Sequence, residues 1–148
     1  MLFRSQFALV VFDFEGSGAE HQKTKLQIEN EVQDLLNKNG WKNRNAVIVI
    51  QPELENWMWM DNTNVEQAIG WEKQESLYDW ARNEGHIIGD ASKPVRPKET
   101  LEKALRISET PKSPAIYKKI ATQVSYRRCE DESFKQLIRK LQEWFPLL

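Results

Sequence analysis

The chain has 148 residues, 21 Lys and Arg against 22 Asp and Glu, with 40% apolar and 29% charged residues. These proportions exclude a disordered or fibrous chain, and no apolar run approaches the roughly 20 residues of a membrane helix. A single cysteine, Cys129, excludes an internal disulfide and a cysteine-built zinc site. The opening six residues do not read as a secretory signal, so a cytoplasmic location is the default expectation. The length suits one domain. Its net charge of −1 divides unevenly: residues 1–85 carry a net −6 and residues 86–148 a net +5. That asymmetry fits either unrelated solvated faces or an acidic metal site in the first half and a polyanion contact in the second.

In chain order, residues 6–12 form a short continuous apolar run, which predicts a strand covered on both faces. His21 to Asn39 changes period: Ile28, Val32, Leu35 and Leu36 fall at helical spacing with Leu26 at the stripe's edge, and Gly40 supplies the stop. Residues 46–50 are a second β-branched run. Strand, helix, strand is a βαβ unit with parallel strands and a right-handed crossover.

Beyond Pro52 the pattern is helical. Helices are predicted over Glu53 to Met60, Asn62 to Ile69 and Gln74 to Asn83, closed by Gly70 and Gly85 in the last two cases. His86 to Val95 is an irregular loop. Pro97 opens a helix carrying Leu101, Ala104, Leu105 and Ile107. Ser113-Pro114 opens another with Ile116, Tyr117, Ile120, Ala121 and Val124. A final helix from about Asp131 carries Phe134, Leu137, Ile138, Leu141, Trp144 and Phe145 at i, i+3, i+4, i+7 spacing. The expected architecture is α/β: a small parallel βαβ sheet over residues 1–60 and a mainly helical extension over 61–148, in one domain. Two parallel strands are too few to stand alone. A short strand near His86–Ile88, a second copy in a homodimer, a partner chain, or upstream strands of a longer form would complete the sheet.

The first strand ends in Asp13-Phe-Glu15-Gly-Ser-Gly18. If the strand continues through them, Asp13 and Glu15 point to one side and can share a Mg2+ or Mn2+ ion. The alternative is that Asp13 caps the turn and Glu15 is solvated. Gly16-Ser17-Gly18 reads first as a plain turn, with an anion-cradling role second. Gln51-Pro-Glu53-Leu-Glu55-Asn-Trp57-Met-Trp59 follows the second strand, so the topology carries Glu53 or Glu55 to the edge holding Asp13. Acids gathered there repel unless a cation joins them. Trp57 and Trp59 read as packing residues, one at the rim and one in the core.

A strand ending in acid-x-acid-Gly, a helix, then a strand ending in Pro-Glu-x-Glu-x-Trp resembles the back half of Toprim-like domains in bacterial defence proteins, including the RloB kind and relatives in methylation-associated phage-defence loci. The likeness covers residues 7–60 closely and the helical tail loosely. It implies a Mg2+-dependent nuclease or nucleic-acid-processing subunit in which Asp13 and Glu15 hold the metal and Glu53 or Glu55 completes the catalytic shell. Toprim domains place a further glutamate on an earlier strand. Only six residues precede the strand here, so another chain would supply that group, Glu53 or Glu55 would replace it, or the module is a non-catalytic interaction or regulatory half.

The basic half offers Lys93, Arg96, Lys98, Lys118, Lys119, Arg127 and Arg128 as phosphate contacts, with Tyr117 and Tyr126 for stacking. A solvated face accounts for them equally well. His21 and His86 have no telling neighbours, and Cys129 reads as a buried small residue.

Overall fold

The computed structural model describes residues 5–59, 63–123, 127 and 129–146. Among these the chain is mixed α/β, with one two-stranded parallel sheet and six α-helices. Backbone proximity divides it into two compact units, Met1–Glu53 with Glu130–Leu148, and Leu54–Cys129. The final helix, placed by the sequence with the helical extension, therefore joins the sheet.

In the first unit, β1 (Ala8–Asp13) pairs in parallel with β2 (Asn45–Ile50), from Ala8 beside Asn45 to Asp13 beside Ile50. The crossover helix α1 (Lys25–Leu36) starts later than the apolar period suggests, because Thr24 and Gln27 form a capping box. Thr24 N–H donates to Gln27 Oε1 at 2.8 Å, and Gln27 N–H donates to Thr24 Oγ1 at 3.3 Å. A π turn over Asn37–Trp41 ends the helix, and Gly40 takes a φ of +88° that disfavours any side chain. Ile28 packs with Val47 and Val49, flanked by Val10, Phe12, Phe14, Val32 and Leu36. Leu35, expected in this stripe, is exposed, because the packed face of α1 runs along Ile28, Val32 and Leu36 and leaves Leu35 at its margin.

The helix α6 (Glu132–Trp144) also lies against β2. Asp131 caps it, accepting from the amides of Ser133 and Phe134. Its apolar stripe is half-buried, and Trp144 stacks on Phe7 with ring centroids 4.6 Å apart. β2 is buried along its whole length. β1 departs from expectation: Leu9 and Val11 are each 39% exposed, and the face carrying Val10 and Phe12 is half-buried.

In the second unit a one-turn 3-10 helix, Leu54–Trp57, replaces the longer helix expected to begin at Glu53. There follow α2 (Asn64–Ile69), α3 (Leu77–Asn83), α4 (Pro97–Ile107) and α5 (Pro114–Gln123). Expected helix members Met60, Asn62 and Val124 lie outside the described residues. Ser76 caps α3 and Pro97 opens α4 as its first residue. The core gathers Trp59, Ile69, Trp71, Trp80, Leu101, Leu105 and Ile120. Trp59 donates to Pro97 O at 2.9 Å and Trp71 to Glu75 O at 3.0 Å, so these two indole N–H groups are satisfied. Trp57 is half-buried, which matches the rim-and-core expectation for the pair. His86–Ile88 is irregular, as the loop reading has it, and the short strand considered there as one way to complete the sheet does not exist among the described residues. Two glycines, Gly85 and Gly89, bracket this segment with positive φ and turn it too tightly for extended pairing.

Candidate functional site

The carboxyl end of the sheet is where the sequence places the chemistry, and the backbone brings the two acidic segments together there. Phe14 N–H donates to Ile50 O at 2.7 Å and Glu15 N–H donates to Pro52 O at 3.0 Å, so the Asp13–Gly18 turn lies directly beside Gln51–Glu53. β1 nevertheless stops at Asp13, and Glu15 sits in the turn. The pleat alternation that would align the two carboxylates ends two residues before Glu15.

Asp13 is half-buried and takes part in a polar contact, while Glu15 is exposed. Glu53 is buried and also makes a polar contact. Glu55, 5% exposed, belongs to the second unit, where Tyr117 Oη donates to its Oε1 at 2.9 Å. The Glu55 charge is also among those that hold the Lys112 ammonium in its protonated form, after the larger effect of a hydrogen bond to Glu102. Among the described residues no group of three or more His, Cys, Asp or Glu is placed to hold a metal ion.

The glycine turn has an occupant that sequence reasoning missed. Gly16 N–H and Ser17 Oγ each donate to the Glu20 carboxylate at 3.2 Å. Hydrogen bonds from its own amide, then from Gly16, Ser17 and Gly18, hold this carboxyl below the ordinary range against an opposing desolvation effect. An acid two residues after the second glycine was the available signal. The turn does cradle an anion, and the anion is internal.

A second missed acid is Glu29, 8% exposed on α1. Ala8 N–H donates to Arg44 O, and Phe14 N–H to Ile50 O. By alternation, the even-numbered amides of both strands face across the ladder and the odd-numbered ones face outward. Val49 N–H, pointing outward from β2, donates to Glu29 Oε1 at 3.0 Å. Lys25 Nζ lies 3.7 Å from the same oxygen. A buried carboxylate thus caps the Val49 amide on the outer edge of β2, and the Lys25-x-x-x-Glu29 spacing beside Ile28 was its only trace in the sequence. On β1 the outward amides include Leu9 and Val11, and among the described residues no strand pairs with that edge.

Beside the turn, Lys25, Gln51, Asp131, Glu132 and Ser133 line an open cleft of about 350 Å3. It joins the first turns of α1 and α6, but Asp131 already occupies the α6 amides. Lys118 and Lys119 are exposed on α5, Arg127 is exposed and makes a contact of its own, and Arg128 and Tyr126 lie outside the described residues. Lys93 and Lys98 make contacts, and Arg96 pairs with Glu99 at 2.8 Å. His86 is 3.4 Å from Lys103 Nζ and tilted against the Trp80 ring at 5.5 Å. Cys129 is buried, as expected. No helix among the described residues is long and apolar enough to cross a membrane. Compared with protein-family models, curated proteins and solved structures, the chain matches none.

Proposed function

We propose that the chain is a non-catalytic interaction subunit built on a Toprim-like α/β half, in which the open edge of β1 receives a partner strand. The observation that supports it is the contrast between the two edges of one sheet. Glu29 caps the outward Val49 amide on β2, whereas among the described residues no strand pairs with the outward amides of β1 beside exposed Leu9 and Val11. Open edges of this kind are templates for another strand, and chains that do not use them usually blunt them.

A second reading is favoured by the Glu15–Pro52 hydrogen bond, which sets Asp13 and Glu15 beside Glu53. In that reading the edge takes up Mg2+ or Mn2+ and the α5 lysines hold nucleic acid for cleavage in a bacterial defence pathway. Calorimetric titration of Mg2+ and Mn2+ into the parent and Asp13→Ala, with plasmid and single-stranded substrates incubated in parallel, separates the two. Absence of metal uptake and intact strands are expected. Uptake abolished by Asp13→Ala, together with cleavage, would overturn the interaction reading.

A further inference from the structure

We infer that the strand received by β1 is β1 of a second copy, running antiparallel about a two-fold axis at Val10. The inference rests on the interaction reading above and adds the identity of the partner. The apolar match comes first. A two-fold axis perpendicular to the sheet keeps each residue on its own face, so opposed residues must share parity. Centring at Val10 sets Leu9 opposite the partner's Val11 and Val11 opposite the partner's Leu9. Both have outward amides, so each opposition is a hydrogen-bonded pair, and the two most exposed apolar residues of the strand cover each other. Centring one residue later would take Leu9 out of the apolar pairing and set it against Asp13, whereas centring at Val10 sets Asp13 against the partner's Phe7, which lies before the strand.

The charges agree with the same register. At the carboxyl end of β1, Glu15 is exposed and no ion pair involving it is found among the described residues. At the amino end, Arg44 spends its guanidinium on two carbonyls, Ser5 O at 3.1 Å and Gly40 O at 3.0 Å, and stacks over Trp41 at 4.4 Å. Exposed Lys42 adds a second positive charge there. Antiparallel pairing about Val10 brings the acidic turn that follows β1 towards the amino end of the partner's β1, where Arg44 holds the Ser5 carbonyl. Acidic end meets basic end twice in the symmetric pair, while a parallel arrangement would stack like charges. The product is a four-stranded sheet ordered β2-β1-β1-β2, with Glu29 capping the Val49 amide on each outer edge.

Sedimentation of the parent is expected to give twice the chain mass, and Val11→Lys the single mass with an unchanged far-ultraviolet spectrum. Leu9→Cys and Val11→Cys test the register: mixed and oxidised, they are expected to form an inter-chain disulfide, because hydrogen-bonded antiparallel partners have Cα atoms about 5.5 Å apart. Neither variant should cross-link alone. A parent of single mass, a dimer indifferent to Val11→Lys, or cross-linking by Val11→Cys without Leu9→Cys would each overturn the proposal. A monomeric parent lacking Asp13-dependent metal uptake would sink self-pairing while leaving the interaction reading in place, whereas metal-dependent cleavage would sink that reading whatever the mass.

Discussion

Glu29→Ala is the most incisive perturbation of the sheet unit, because one side chain both fills space on α1 and caps the Val49 amide on the β2 edge. The Val49 N–H to Glu29 bond, at 3.0 Å and with the acceptor residue 8% exposed, is charge-assisted and shielded from water. Removing such a bond costs about 1.5–3 kcal/mol. The truncation also strips one buried methylene, worth about 0.8 kcal/mol. A total near 3 kcal/mol is expected, equivalent to about a hundredfold faster exchange of the Val49 amide where exchange proceeds by local opening. Glu29→Gln keeps the stem and an acceptor, and loses only the charge and its attraction to Lys25 at 3.7 Å. Its expected effect is about 1 kcal/mol. Urea denaturation of the three proteins gives the stabilities, and amide exchange resolved at Val49 gives the local effect. Exchange at Val49 as slow in Glu29→Ala as in the parent would refute the assignment of this carboxylate as the edge cap.

Two other positions give independent checks. Tyr117→Phe removes the 2.9 Å bond to the buried Glu55 carboxylate and is expected to destabilise by about 1.5–3 kcal/mol in urea, with no change in the mass of the assembly. His86 is held below its ordinary pKa, first by desolvation and then by Lys103, so the unfolded chain takes up the proton more readily. Stability should be complete above the ordinary histidine pKa near 6.5 and fall as the pH drops below it, a dependence that His86→Asn should flatten in parallel denaturation curves.

The strands and most helices were legible because burial imposes a period, and period survives in a single sequence. Ile28, Val32 and Leu36 mark one face of α1, and Leu101, Ala104 and Leu105 mark one face of α4, whatever packs against them. Period says which residues are apolar and not what covers them. Leu9 and Val11 therefore looked like the interior of a fully covered strand, although they face outward, and the stripe of α6 looked deeper than it is. Leu35 satisfied the same spacing and still fell outside the contact. The acidic edge was legible as topology, since the Glu15–Pro52 bond joins the two segments as expected. The occupants were not: a buried glutamate such as Glu29 on an amphipathic helix is indistinguishable by spacing from a solvated one.

Glu20 and Glu29 share a consequence for how the carboxyl end of this unit meets ligands. Backbone amides left pointing outward attract anions, and a glycine-rich turn after a parallel strand is a common place for phosphate. Here the Gly16 amide and Ser17 hydroxyl are spent on Glu20, so a phosphate must displace a carboxylate tethered four residues away, at a high effective local concentration. The parent should show no shift of the Gly16, Ser17 and Gly18 amide resonances when inorganic phosphate is added in the millimolar range. Glu20→Ala vacates the cradle without touching the sheet core, and those three amides should then move together and saturate. Equal shifts in both proteins would mean that Glu20 does not compete for the cradle, and the turn would have to be read as an anion site in the parent.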